Sequence, residues 1–517
     1  MDLALNILCL ISIGVIFLFS CHQLYMALLV RSIKDSASNI DKDYLMDRTV
    51  TIQLPIFNEK YVIKDLLEAV TKIRYPKELL EIQVLDDSTD ETVEMLEMMI
   101  HEYQCLGFNI KHIHRSNRLG FKAGALREGT QICEGDFIAI FDADFVPSPC
   151  FLEKTLPYFS DVKVGMVQSR WGHLNSSHSI LTKIQAFMLD GHFVVEQFAR
   201  NIGGYTMNFN GTAGVWRKDC LNDAGGWHDD TLTEDLDLSY RAQLKGWQFK
   251  YLVDYKTPAQ LPMAMSAVRS QQYRWTKGAA ECASKLIFSV LRSTTLTLPQ
   301  KIMSMFHLMN SGVFMVIITF LVSSMILTLT HSDLSIFHNE IVIGIGIMNI
   351  SMLFVFFSVA FMKDSGWTLN KMISFLPYFL FFLAFSLGFA LHNAVAAFHG
   401  YIRFKTPFVR TPKSDLKQSK SFFSSVYVSK AINGFFVGEV VIWLLLTISI
   451  CVGIYQGTYE FLIFHFLAWI GYAAMILFTM IHSRILKSMN QKVDGILPNE
   501  KYIIKKEWVD PTFQDNF

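Results

Sequence analysis

The sequence predicts an α/β domain with a mainly parallel sheet, inserted between transmembrane α-helices, and three observations carry that expectation. Apolar stretches long enough to cross a bilayer sit at both ends of the chain. None lies between about residues 31 and 300. Within that interval, short runs rich in Val and Ile alternate with segments of helical period, the pattern of βαβ units.

Composition bounds the reading first. At 51% hydrophobic residues with 43 Phe in 517, the chain is too apolar for an ordinary soluble enzyme and has room for two or three domains. Lys plus Arg and Asp plus Glu both count 46, so no net charge points to nucleic acid. The eight cysteines are scattered without CxxC spacing, which argues against a zinc site or a disulfide framework and fits a reducing compartment.

The stretch 3–30 lacks a basic leader and continues apolar past any small-residue cleavage point, so it reads as an anchor (domain 1–31) and not as a removed signal. Further spans are expected at 313–329, 341–362, 435–455 and 461–481. The loops 331–340 and 456–460 contain neither Lys nor Arg and are assigned outside. Arg403, Lys405, Arg410, Lys413, Lys417 and Lys420 make the stretch 403–420 cytoplasmic, and a basic tail at 485–517 joins it. If 373–398 crossed the membrane, those six charges would be stranded outside. It is therefore expected to be re-entrant or interfacial. Five spans result, with the N-terminus outside and the domain 45–300 cytoplasmic, followed by a transmembrane region at 301–484.

In the soluble interval, strands are expected at 49–54, 82–85 and 137–141, and helices at 62–73, 91–103 and 121–133. Ser88 and Glu91 have capping-box spacing, which leaves Asp86 and Asp87 in the loop after the second strand. Ligands in such sheets bind beyond the carboxyl ends of the strands, where Asp86, Asp87, Asp142 and Asp144 all fall. The first strand is followed by Phe57, Asn58 and Glu59 and not by GxGxxG, and no P-loop occurs, so a dinucleotide-dependent oxidoreductase and a P-loop enzyme are unsupported.

Four constellations can carry chemistry. Asp142 and Asp144 leave the end of a strand one residue apart, a hard-oxygen pair that suits Mg²⁺ or Mn²⁺ and a phosphate, although Asp-x-Asp is also common in solvated turns. Thr233, Glu234 and Asp235 open a helix, as a capped N-terminus wants, and the same position suits a general base. Gln271, Arg274 and Trp275 either contact a diphosphate and a sugar face or belong to an interfacial aromatic belt. Arg115, Arg118 and Lys122, with Gly120 and Gly124, form either a phosphate-binding turn or a solvated basic face. Asn210-Gly211-Thr212 matches a glycosylation sequon but reads as a tight turn if cytoplasmic, and Glu439, near the start of a span, is either functional or interfacial.

In order along the chain, the Asp86-Asp87 pair, Asp142-Ala143-Asp144, Thr233-Glu234-Asp235 and Gln271-x-x-Arg274-Trp275 resemble the D, DxD, TED and QxxRW series of processive family-two glycosyltransferases, which include cellulose, hyaluronan, chitin and mannan synthases. The resemblance covers about residues 48 to 415. The stretches FKAGAL (121–126), QSRWGHLN (168–175) and FNGT (209–212) look most like the cellulose-synthase-like A group, the glucomannan 4-β-mannosyltransferases, and their bacterial relatives. It implies a GT-A fold and an inverting, processive hexosyltransferase that polymerises a β-linked mannan, glucomannan or glucan from GDP-mannose or UDP-glucose. By the same resemblance, Phe57, Asn58, Glu59, Asp87, Lys122, Asp142, Gln271 and Arg274 would bind the nucleotide sugar, and Asp142 and Asp144 would hold Mg²⁺ or Mn²⁺. Asp235 would be the base, with Glu234 beside it in the catalytic pair, and Thr233 and Trp275 would serve the acceptor. The expected partners are the donor, the growing polysaccharide and the lipid bilayer of a plasma (inner) membrane, or a Golgi membrane in a eukaryote; accessory subunits stay open.

Phe408, Thr411 and Lys413 resemble the gating loop FxVTxK of cellulose synthases. Arg410 replaces its Val, Gln260 stands where many relatives have an acid, and no cyclic-dinucleotide-binding domain follows. Two rivals stand beside this reading. One is a non-processive enzyme adding one sugar to a lipid, as ceramide glucosyltransferases do. The other is a transporter or channel with a cytoplasmic binding domain, for which the expected internal symmetry is not seen.

Overall fold

Strands rich in Val, Ile and Leu bury both of their faces, and this places them inside a sheet covered on two sides. The computed structural model describes residues 2–32, 47–332, 334–364, 366–406 and 434–496, with side chains through 483 except that of Ser335. Its seven strands are β1 (Val50–Ile56), β2 (Leu80–Asp86), β3 (Asn109–His114), β4 (Phe137–Ile140), β5 (Val164–His173), β6 (Gly214–Arg217) and β7 (Gln248–Ala259). They form one sheet in the order β3-β2-β1-β4-β6-β5-β7. Only β6 runs antiparallel to its neighbours β4 and β5, so the expected mainly parallel sheet is present.

The helices are α1 (Asp2–Ser32), α2 (Ile63–Thr71), α3 (Thr92–Cys105), α4 (Phe121–Ile132), α5 (Phe151–Thr155), α6 (Ile180–Asp190), α7 (Gln197–Ile202), α8 (Lys218–Asp223), α9 (Glu234–Leu244) and α10 (Met265–Arg292). Beyond them come α11 (Leu298–Met309), α12 (Val313–Leu329), α13 (Glu340–Met362), α14 (Leu369–Gly388), α15 (Ala390–Tyr401), α16 (Gly434–Gln456) and α17 (Leu462–Ile496). On one face of the sheet, Ile52, Leu54, Ile82 and Val84 pack with Leu66, Leu67, Leu96 and Ile100 of α2 and α3. On the other, Ile138, Ile140 and Trp216 pack with Leu126 of α4 and Phe198 of α7. That second core continues into Met26 and Ala27 of α1, Phe356 and Phe357 of α13, and Phe375 of α14, so the sheet domain and the apolar helices share one interior.

Six helical stretches among the described residues are long and apolar enough to cross a membrane: Asp2–Ser32, Leu298–Leu329, Glu340–Met362, Leu369–Gly388, Gly434–Gln456 and Leu462–Ser483. The segment 373–398 is divided between α14 and α15. Both ends of this pair meet the sheet domain and α10. Asp364, just before α14, bonds Arg170 of β5 at 2.8 Å and Lys256 of β7 at 2.6 Å. Arg403, just after α15, donates to Ser284 of α10 at 3.2 Å. Close helix packing fixes the pair: a side chain at Gly471 of α17 would run into the Ala384 carbonyl of α14, and one at Gly400 into α10. Glu439 of α16 is buried and bonded to Arg269 of α10 at 2.6 Å, an ion pair that ties α10 to the apolar bundle. The gating-like residues Phe408, Arg410, Thr411 and Lys413 lie outside the described residues.

One local expectation fails. Helix α3 begins at Thr92, with no side-chain cap from Glu91. The Ser88 hydroxyl instead accepts the Asn58 N–H, and Asp90 accepts the Thr92 N–H. The spacing of a capping box is present, but loop-to-loop bonding between the ends of β1 and β2 claims the serine.

Candidate active site

Lys122, Asp142, Gly211 and Asp235 meet at one point, each brought there by a different element. Asp142 and Asp144 follow β4 directly, and the Asp142 N–H donates to the Thr212 hydroxyl at 2.8 Å. Lys122, in the first turn of α4, donates to Asp142 Oδ1 at 2.5 Å and to the Gly211 carbonyl at 2.9 Å. Gly211 holds φ +78°, where a Cβ is strained, and that Cβ would also lie 3.0 Å from Asp235 Oδ2. The Asn210-Gly211-Thr212 stretch is thus a tight backbone turn under the acidic groups.

Glu234 and Asp235 open α9, and Asp235 Oδ1 accepts the Leu236 N–H at 2.8 Å. Thr233 occupies the N-cap position but makes no side-chain cap; its hydroxyl lies 3.4 Å from Cys282 Sγ of α10. Burial and the neighbouring Glu234 carboxylate push Asp235 up to about 7. Burial also raises Glu234, against the pull of Lys122. For Lys122 burial acts downward, but Asp142, Glu234 and Asp235 outweigh it and hold the ammonium above its ordinary value. Gln271, Arg274 and Trp275 lie three and four positions apart on α10 and so share a face. Burial lowers Arg274, with Glu234 and Asp142 opposing it.

These side chains line a cavity of about 230 Å³. Phe57, Glu59, Asp87, Lys122, Asp142, Asp144, Thr233, Glu234, Asp235, Gln271, Arg274 and Trp275 all border it. Asn58 does not. It sits behind the wall with φ 54°, its side-chain oxygen accepting the Thr89 N–H at 2.8 Å, so it braces the loop. Glu59, Asp87, Asp142, Asp144, Glu234 and Asp235 set six carboxylates against the cations Arg118, Lys122 and Arg274 in the lining. This excess of negative charge, with hard oxygen donors at Asp142 and Asp144, fits a divalent cation that also neutralises a phosphate.

The basic turn before α4 also becomes specific. Arg115 is buried and grips Asp87 through two bonds of 2.6 and 2.7 Å, and it reaches Glu128 at 3.0 Å. Arg118 lies over the Phe57 ring at 3.3 Å and borders the cavity. Trp171 and His173, spaced to share one side of β5, add to the lining, and Trp171 stands 6.4 Å from Trp275, ring centre to ring centre. Trp171 and His173 both stand in the QSRWGHLN stretch, which carried the resemblance without a role for either side chain. Glu281 of α10 accepts the Leu232 N–H at 2.7 Å and so holds the loop leading to Glu234 and Asp235.

Comparison with known proteins follows the same interval. Residues 48–278 match the family model described as "Glycosyltransferase like family 2". Over 300 residues the chain is 39% identical to glucomannan 4-beta-mannosyltransferase 1 of Oryza sativa subsp. japonica, covering 54% of this chain and 58% of that one. Over 291 residues it is 38% identical to glucomannan 4-beta-mannosyltransferase 2 of Arabidopsis thaliana, covering 53% and 54%. The chain thus spans about half the length of the curated relatives it matches. Among solved structures, the mannosyltransferase PcManGT from Pyrobaculum calidifontis, in complex with GDP-Man and Mn²⁺, superposes with a TM-score of 0.52 at 16% identity. The superposition covers 78% of this chain and all of that one, and it shows a shared GT-A fold.

Proposed function

We propose, from the match of residues 48–278 to a family-two glycosyltransferase model, that this chain is an inverting hexosyltransferase that extends a β-linked mannan or glucomannan, with GDP-mannose as the preferred donor over UDP-glucose. The observation that carries the proposal is the convergence of Asp235, Asp142, Asp144, Lys122 and the Gln271, Arg274 and Trp275 face on one cavity. The 4-β-mannosyltransferase names of the relatives support the choice of sugar.

In this reading Asp87, held rigid by Arg115, and the Phe57–Arg118 stack receive the nucleoside. Asp142 and Asp144 would hold Mg²⁺ or Mn²⁺, which when bound supplies charge neutralisation for the departing diphosphate. Lys122 and Arg274 add positive charge at the same phosphates, and Gln271 hydrogen-bonds the donor. Asp235 accepts the proton of the acceptor hydroxyl while that oxygen attacks the anomeric carbon. The bond to the diphosphate oxygen breaks from the opposite side, so the configuration inverts and no covalent intermediate forms. An acid near pH 7 in its ionisation is well matched to this work. Glu234 tunes Asp235 through its charge, and Trp275 with Trp171 offers flat apolar surface to the acceptor sugar.

The apolar helices make it an integral membrane enzyme in this reading, with domain 45–300 and the basic segments on the cytoplasmic side. The contacts of both ends of the α14–α15 pair with the soluble domain support a segment that enters and returns on one face. The deciding experiment incubates detergent-purified protein with GDP-mannose or UDP-glucose, with Mg²⁺, Mn²⁺ or a chelator, and follows nucleoside diphosphate release and product digestion. Metal-dependent turnover of GDP-mannose to a mannanase-sensitive polymer is expected. A cellulase-sensitive product from UDP-glucose would overturn the choice of sugar, and turnover only with added lipid acceptor would overturn polymerisation.

A further inference from the structure

We propose that Asp86, His112 and His114 form a second divalent-metal site, of the nitrogen-ligated kind that suits Zn²⁺, separate from the carboxylates Asp142 and Asp144. His112 and His114 are two residues apart on β3, so their side chains leave the same face of the sheet. The parallel register sets Asp86 of β2 directly opposite His114, with His112 on the diagonal. Asp86 Oδ2 consequently lies 2.9 Å from His112 Nε2 and 3.2 Å from His114 Nδ1. Zn–N and Zn–O bonds of about 2.0 to 2.2 Å at roughly tetrahedral angles separate ligand atoms by about 3.3 to 3.6 Å, so both oxygen–nitrogen distances need only open by a few tenths of an ångström to admit the ion.

Access and orientation support the site. β3 is the edge of the sheet. The His112 and His114 side chains are 15% and 41% exposed while that of Asp86 is fully buried, so the cluster opens to solvent and leaves positions for water. The other Asp86 oxygen accepts the Ser88 N–H at 2.8 Å, an outer contact that aims the carboxylate at the imidazoles. Arg115 does not compete, because its guanidinium is turned to Asp87 and Glu128. The contrast with His228, Asp230 and Asp237 is informative. There Lys285 and Arg241 already bring cations to within 2.8 Å of Asp237, which leaves no charge for a metal to satisfy. Imidazole ligands favour Zn²⁺ and its neighbours over Mg²⁺. An ion held by the three residues would tie the end of β2, one residue before Asp87, to the end of β3, one residue before Arg115.

The test titrates Zn²⁺ into the 517-residue chain in detergent, with excess Mg²⁺ present to occupy hard-oxygen sites. Wild type is expected to bind a Zn²⁺ that the His112→Gln and His114→Gln variants bind about tenfold or more weakly. A glutamine amide can still donate to Asp86, and unfolding midpoints in chelator, equal among the three proteins, check that the variants fold. X-ray absorption of the wild-type Zn²⁺ complex needs no variant and should find two imidazole nitrogens with oxygen. Zn²⁺ affinity unchanged in both variants, sulfur ligation, or no Zn²⁺ bound by wild type would overturn the proposal and leave the cluster as hydrogen-bonded support for Asp86.

Discussion

Replacing Asp235 by Asn removes one proton-accepting oxygen and changes little else. The Asn carbonyl can still accept the Leu236 N–H now bonded at 2.8 Å, so the start of α9 should hold. Donor binding should persist as well, because Asp87, Lys122, Asp142 and Arg274 are untouched. What is lost is general-base catalysis, about 10² to 10⁴ in rate, or about 3 to 5 kcal/mol in the barrier. Wild type adds a second signature. The base works only when ionised, and with Asp235 raised to about 7 by burial and Glu234, activity is full above that pH and falls by about tenfold for each unit below it. The assay is nucleoside diphosphate release under kcat/KM conditions from roughly pH 5 to pH 8, with donor affinity measured by calorimetry. An Asn variant within a few-fold of wild-type turnover, a flat wild-type profile, or an acidic limb that persists unchanged in the variant would refute Asp235 as the base.

Glu234→Gln removes the charge that helps raise Asp235, so the acidic limb should move to lower pH, which the same profile reads. Gly211→Ala puts a Cβ at φ +78° and 3.0 Å from Asp235 Oδ2; an αL penalty of about 1 to 2 kcal/mol and a displaced base should lower kcat more than donor affinity. Arg115→Met leaves the buried Asp87 carboxylate to the longer 3.9 Å contact of Arg118; a loss of up to about 3 kcal/mol of stability is expected, read as a lower unfolding midpoint together with a raised KM for donor. For topology, Leu369→Cys and Met98→Cys, both at exposed positions, should react with an impermeant maleimide from the same side of sealed vesicles; labelling from opposite sides would refute a cytoplasmic start to α14.

How much was legible depended on the range of the interactions. Apolar runs announce membrane helices because a bilayer demands them locally, residue by residue. The Val- and Ile-rich strands and the amphipathic α2 declared themselves by period. Ser88 with Glu91 misled because capping spacing is a local rule, and here a bond from the neighbouring loop took the serine. Asn58 belonged to the right loop, yet its side chain is spent on Thr89 and does not reach the cavity.

By itself, then, the sequence determined the alternation of helix and strand, the apolar ends, and the order of the acidic, Thr-Glu-Asp and Gln-x-x-Arg-Trp motifs. Only the tertiary structure decided that Arg115 clamps Asp87, that the turn at Gly211 and Thr212 braces Asp142 and lies close against Asp235, that Glu281 holds the loop before Glu234, and that His112 and His114 face Asp86. The physical reason is distance along the chain. Each of these contacts joins residues about two dozen or more positions apart, through strand register, helix packing and burial, and none of those is encoded in a local pattern.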